Sequence, residues 1–182
     1  MTPFVQNVTN VLSIAVIASD AFAVMLFVLL VTPLKRSRRG KAVLTFFGSN
    51  AIFFALLVAL GSLGGSLFYS EIAHFAPCLL CWWQRVLLYP QAVILVVALL
   101  ARDERVRKYC VALSSIGVLL ATYHTYLQFG GNDLIPCSTT GESCIKVYFL
   151  TYGYITIPTM ALTAFALILL LCLIPHRKNS EG

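Results

Sequence analysis

The sequence predicts an all-α membrane protein with five spanning helices. Three observations carry this: the composition, the length of the apolar runs and the placement of the basic residues. Of 182 residues, 59% are hydrophobic and 11% are charged, and the mean hydropathy is +0.87. A soluble domain of this size has too little interior for that much apolar surface, so lipid has to solvate most of it. A hydrocarbon core of about 30 Å needs roughly 20 helical residues to cross it. Five apolar runs reach that length, over residues 11–31, 42–68, 82–101, 109–129 and 153–174. They are continuously apolar and lack the alternation of a membrane barrel strand, which leaves helices.

Each run has its own marks. The charges of the first follow its apolar stretch instead of preceding it, and no small-residue cleavage pattern is evident, so it reads as a span and not as a cleaved signal peptide. Its Asp20, near the middle, costs roughly 3 kcal/mol or more in lipid and needs a partner or a function, such as proton relay. The second run carries Gly61, Gly64 and Gly65, which predict close helix packing. The third follows Pro77, a residue suited to the first helical position. The fourth places His124 and Gln128 one turn apart near its end. The fifth runs up to the basic tail with Arg177 and Lys178.

Basic residues orient the chain. Lys35, Arg36, Arg38, Arg39 and Lys41 fill the first connection, and Arg102, Arg105, Arg107 and Lys108 dominate the third. The N-terminal tail has no lysine or arginine, and the remaining loops share only Lys146, with Arg85 at a helix start. The positive-inside rule puts the basic segments in the cytoplasm, with the N-terminus outside and the C-terminus cytoplasmic. The net charge of +6 therefore reports orientation beside anionic headgroups, and nucleic-acid binding is excluded as a reading.

Topology makes the six cysteines informative. Cys78, Cys81, Cys137 and Cys144 fall in or beside the two outward loops as local pairs, whereas Cys110 and Cys172 lie singly toward the cytoplasmic ends and read as small packing residues. The outward four admit redox exchange, static loop disulfides or a four-thiolate zinc site. Zinc is disfavoured by the Cys-x6-Cys spacing and the oxidising side, so no metal is expected. Cys78 and Cys81 belong to the opening turn of a helix, where free N–H groups and the dipole favour a thiolate. Arg85, four residues after Cys81, shares its helical face and suits either a headgroup or an anionic ring. Trp82 and Trp83 read as an interfacial anchor. The stretch 132–144 is turn-rich and polar, so a disulfide there is open to another protein's thiolate.

Taken together, Tyr69-Ser70-Glu71, Pro77-Cys78-x-x-Cys81-Trp82-x-Gln84-Arg85, Tyr89-Pro90, His124-Thr125-x-Leu127-Gln128 and Gly153-Tyr154-Ile155-Thr156-Ile157-Pro158 resemble the DsbB-type disulfide-formation proteins, closest to the short-loop branch often called BdbC. The resemblance spans about residues 42–174 and implies a four-helix transmembrane bundle, with 1–41 an extra N-terminal helix plus basic loop and 175–182 a cytoplasmic tail. It implies a thiol:quinone oxidoreductase in the bacterial cytoplasmic membrane that reoxidises an extracytoplasmic, thioredoxin-fold, DsbA-like oxidase and so supports disulfide formation in exported proteins. Ubiquinone and menaquinone are not distinguished. By motif, Cys78 and Cys81 are the quinone-proximal pair, Cys137 and Cys144 the partner-facing pair, Arg85 the quinone contact and His124 its neighbour. Competing readings are a polytopic scaffold with static loop disulfides and a vitamin K epoxide reductase-like enzyme. In the latter the active pair commonly follows the loop cysteines, whereas here the Cys-x-x-Cys comes first.

Overall fold

A computed structural model describes residues 1–132, 137 and 142–175. Arg177 and Lys178, with the rest of the expected cytoplasmic tail beyond residue 175, lie outside the described residues, as do 133–136 and 138–141 of the second loop. The regular structure of the described residues is helical: α1 Pro3–Val31, α2 Arg38–Ser49, α3 Ala51–Leu67, α4 Leu79–Ala101, α5 Arg107–Gln128 and α6 Ile157–Leu173. Among the described residues the nearest thing to a strand is one isolated bridge between Thr151 and Ile155. Among the described residues, four helical segments are long and apolar enough to cross a membrane: Pro3–Val31, Ala51–Ile72, Leu79–Ala101 and Glu104–Gln128. The fifth apolar helix, α6, has 17 residues.

Two boundaries differ from the sequence expectation, each for a local reason. The run expected as one helix over 42–68 is divided at Asn50 into α2 and α3. Ser49 Oγ donates back to the Thr45 and Phe46 carbonyls and Asn50 Nδ2 to that of Phe46, so side chains compete there for backbone acceptors. At the other end, α6 begins at Ile157 and not at 153, because Tyr152 and Gly153 adopt positive φ of 50° and 80°. Thr159 Oγ1 then accepts the Thr156 N–H at 2.7 Å, with Pro158 in the first turn.

Helices α3, α4, α5 and α6 form a closed ring in which each packs on two others, and α1 lies outside it along α6. The core between them is built from Leu95, Ala121, Phe165, Ile168 and their neighbours. At Gly117 of α5 the Phe165 ring occupies the space a Cβ would need, so this glycine brings α5 and α6 together. The glycines singled out from sequence act otherwise: a Cβ on Gly61 or Gly64 would meet nothing within 4 Å, and one on Gly65 only the tip of Leu12 at 4.0 Å. They leave space open instead of closing it.

One end of the ring is tied by Arg107. Its guanidinium donates to the carbonyl of Ile174 at 2.8 Å and to that of Gly48, and it pairs with Glu104 at 2.6 Å. The ends of α2 and α6 and the start of α5 therefore meet, which gathers the basic connections at the same end of the molecule. Cys110 and Cys172, read singly from sequence, are both buried in the core near this end and sit side by side across α5 and α6.

Helix α1 docks through a polar stripe. Tyr69 donates to Thr9 at 3.4 Å, Ser13 pairs with Thr151 at 2.7 Å, and Asp20 accepts from Thr163 at 2.6 Å and Tyr154 at 2.9 Å. In lipid such interhelical bonds average about 0.6 kcal/mol each, so several together are needed to hold a helix. The two hydroxyl donors give the Asp20 carboxyl its partners at the depth where an unpartnered one is costly.

Candidate functional site

The site lies at the end of the ring away from Arg107, where α4 begins. Helix α4 starts at Leu79, with Cys78 as its N-cap. Pro77 therefore precedes the cap and does not occupy the first helical position. The reason is the Cys78 sulfur, which accepts the backbone N–H of Cys81 at 3.4 Å and takes the capping role usually filled by an oxygen. One turn then sets the two thiols together, with Sγ atoms 3.0 Å apart and no bond between them.

His124 of α5 closes on this pair. Its Nε2 lies 3.6 Å from the Cys78 sulfur, and its Nδ1 faces the Gln84 amide nitrogen at 3.3 Å. The amide N–H has to donate, so Nδ1 accepts and the neutral ring carries its proton on Nε2, aimed at Cys78. The Cys78 thiol, just ahead of the span, is held well below the usual thiol range. The hydrogen bond from Cys81 is the largest cause, burial opposes it, and His124 lowers it further.

Cys137 and Cys144 are joined in a disulfide with Cα atoms 6.0 Å apart. Cys144 is buried and belongs to the same small cluster as Cys78, Leu80 and Leu127, with Cys81 and Cys137 packed against it. A gap of about 20 Å³, lined by Cys78, Cys81, His124 and Cys144, separates the pairs. Aromatic contacts hold the loops in this register: Phe75 stacks on Tyr148 at 4.4 Å and on Tyr69 at 5.9 Å, and the Tyr148 hydroxyl donates to the Ala76 carbonyl at 2.9 Å. Cys78, Cys81, Cys137 and Cys144 thus meet in one place.

On its other side Cys81 opens into a mainly apolar cavity of about 280 Å³ bounded by α1, α3, α4 and α6. Gly61 and Gly65 form part of its wall, which accounts for the empty space beside them. Arg85 also lines it and is only 9% exposed. Its Nε donates to the Ser66 hydroxyl at 2.9 Å and one terminal nitrogen to the Ser66 carbonyl at 3.0 Å, and its guanidinium lies 5.3 Å from the Trp82 ring centroid. The arginine therefore turns inward, while Trp82 and Trp83 stay exposed. His124 is not part of this cavity wall; it stands on the cysteine side.

Cys78, Cys81 and His124 also place three donor atoms within 4.8 Å of one another, the spacing of a partial soft-metal site. The Cys137–Cys144 bond removes the other two sulfurs from a four-thiolate site. Sequence reasoning had the four cysteines, Arg85 and His124. It missed Ser66 and the role of Gln84, whose signals are polar residues on otherwise apolar helix faces.

Comparison with known proteins agrees with this arrangement. The family described as "Disulfide bond formation protein DsbB" matches residues 48–175. The chain is 46% identical over 118 residues to the SPbeta prophage-derived disulfide bond formation protein B of Bacillus subtilis (strain 168), covering 64% of this chain and 80% of that protein. It is 40% identical over 132 residues to disulfide bond formation protein C of the same organism, covering 70% and 94%. It is 38% identical over 133 residues to a probable disulfide formation protein of Metapseudomonas resinovorans, covering 72% and 92%. No solved structure gives a significant match. With spanning-length helices, a paired-cysteine site and this similarity along most of its length, the chain is a multi-pass membrane protein that belongs to the DsbB family of disulfide bond formation proteins.

Proposed function

We propose that the protein is a thiol:quinone oxidoreductase of the bacterial cytoplasmic membrane that reoxidises an extracytoplasmic, thioredoxin-fold thiol oxidase. Five spans, α6 being the last, put the cysteine loops and N-terminus outside and the basic end in the cytoplasm. The observation that carries the reading is the position of Cys81, which touches the second cysteine pair's gap on one side and the apolar cavity with Arg85 on the other. A static disulfide scaffold has no use for that connection.

The cavity suits a quinone. Its volume is at the lower edge of the roughly 300–1,000 Å³ of small-molecule pockets, enough for a ring whose isoprenoid tail stays in lipid. Gly61 and Gly65 keep the wall flat, and Arg85 offers a fixed positive group for a ring oxygen. A quinone bound there supplies the two-electron oxidant for the Cys78–Cys81 pair.

The chain's own steps are disulfide exchanges. A partner thiolate attacks Cys137 Sγ; the Cys137–Cys144 bond breaks and Cys144 leaves as thiolate. Cys144 attacks Cys78 of an oxidised Cys78–Cys81 pair, and Cys81 leaves as thiolate beside Arg85. The partner's second thiol breaks the mixed disulfide, releasing Cys137, which re-forms its bond to Cys144 and frees Cys78. Two electrons and two protons then rest on Cys78 and Cys81, ready to be withdrawn through Cys81. Attack is fastest with a low-pKa leaving group, and a depressed thiol at Cys78 suits its release in the last exchange.

The test is a purified assay with a reduced thioredoxin-fold partner and either ubiquinone or menaquinone, following quinone absorbance. Partner-dependent quinone reduction that is abolished in Cys81→Ser supports the reading. No reduction of either quinone, or full activity in Cys81→Ser, refutes it.

A further inference from the structure

The family match covers residues 48–175, so α1 is an addition to the ring and not part of it. The structure nevertheless gives α1 a share of the cavity. Leu12, Ala15, Val16 and Ser19, at i, i+3, i+4 and i+7, form one helical stripe, and all four line the space that Cys81 and Arg85 open into. A second stripe, Thr9, Ser13 and Asp20, runs beside it and makes the hydrogen bonds that fasten α1 to Tyr69, Thr151, Tyr154 and Thr163. The two stripes fix both the position and the rotation of α1, so the cavity-facing residues are held there by design of the helix. Across the space, Gly65 of α3 is bare enough that its nearest neighbour for an added Cβ is the Leu12 methyl, 4.0 Å away.

We infer that α1 is the fourth wall of the ring-binding pocket, and that Leu12, Ala15, Val16 and Ser19 contact the quinone and set which rings fit. The inference rests on the proposed thiol:quinone function and adds a substrate-contacting element outside the family's own helices. Without α1 the cleft between α3 and α6 faces lipid directly. With it, the pocket has a side whose residues can discriminate ring substituents, and Ser19 adds one hydroxyl to that side. The Asp20 contacts make α1 a fixed wall, which gives Asp20 a positioning role.

The experiment uses the full chain in membranes with an azidoquinone photoprobe and maps adducts by peptide mass spectrometry. Adducts within residues 12–19 of α1, suppressed by excess unlabelled quinone, are expected. Adducts confined to α3, α4 and α6 would overturn the α1 inference while leaving the quinone reaction standing; no competed adduct anywhere, with no quinone reduction, would remove both. Kinetics supply the second readout. Ala15→Phe is expected to raise KM for quinone at least fivefold, leaving the rate of Cys137–Cys144 reduction by the partner unchanged, whereas Val24→Phe, on an exposed face of α1, changes neither. An unchanged KM in Ala15→Phe would also overturn it.

Discussion

The Cys78 sulfur and His124 Nε2 lie 3.6 Å apart although 46 residues separate them in the chain. Two helices have to be in register for that contact, and Gln84 sets the ring so that its N–H points at the sulfur. A thiolate at Cys78 is thus met by three donors, the Cys81 thiol, the Cys81 backbone N–H and the imidazole.

The pH dependence of Cys78 follows from the order of those causes. A depressed pKa leaves Cys78 as thiolate at neutral pH, and losing either side-chain donor moves the titration upward. Cys81→Ser weakens the largest cause and should raise the midpoint most. His124→Ala should raise it by about one unit, since a hydrogen bond to a charged group is worth roughly 1.5 kcal/mol and one unit is about 1.4. The measurement is the pH profile of alkylation at Cys78 by a small reagent. A midpoint unmoved in both variants would contradict the contact.

Arg85 depends on Ser66 for its inward pose. Arg85→Gln should lower quinone turnover by about ten- to a hundredfold, the scale of a charged hydrogen bond worth 1.5–3 kcal/mol. Ser66→Ala removes one acceptor and should cost only about fivefold, seen in KM. Reduction of Cys137–Cys144 by the partner should be unchanged in both, because neither residue approaches that bond. Stopped-flow measurement of the two half-reactions separates the effects.

Much of this arrangement could be read from residue order, and the exceptions share a cause. The Cys-x-x-Cys and the Arg85 that follows it are local patterns, so spacing reveals them. Ser66, Gln84, Thr9 and Ser13 act only through partners on other helices, and an isolated serine or threonine in an apolar run looks like any other. The glycines show the limit best. Gly61, Gly64 and Gly65 have the spacing of a packing motif yet border open space, while Gly117, alone in its run, is the one pressed against Phe165. Sequence shows where a backbone is bare, not what approaches it.

That contrast gives a stability prediction. Gly117→Ala puts a methyl into the Phe165 ring and should destabilise by about 1–3 kcal/mol, the usual cost of overpacking. Gly61→Ala meets nothing and should be neutral or slightly stabilising, since alanine favours helix by up to about 1 kcal/mol. Thermal unfolding in detergent decides it; equal effects would mean that α5 and α6 do not meet as described.

Arg107 predicts a different kind of loss. It serves two carbonyls on separate helices and a carboxylate at once, which only a planar guanidinium can do. Arg107→Met should therefore destabilise by about 3–5 kcal/mol, the range for removing one partner of a buried ionic network. Arg107→Lys should recover less than half. The thiol chemistry at the far end should be intact in whatever fraction stays folded, measured as partner oxidation per folded molecule.

The two sulfurs of the second pair are not equivalent, and this predicts an order of attack. Cys144 is 1% exposed and packed beside Cys78, whereas Cys137 is only partly buried. In the proposed reaction an incoming thiolate is therefore expected at Cys137, and the group released, Cys144, is already next to the sulfur it would attack. A reduced partner that lacks its resolving cysteine should then be trapped as a mixed disulfide through Cys137, because its thiolate breaks the intact Cys137–Cys144 bond and Cys144 leaves as thiolate. Non-reducing electrophoresis followed by peptide mass spectrometry of the trapped complex identifies the linked cysteine. A mixed disulfide through Cys144, formed as fast as the one through Cys137, would reverse the assignment and require the buried sulfur to swing out of its cluster before each turnover.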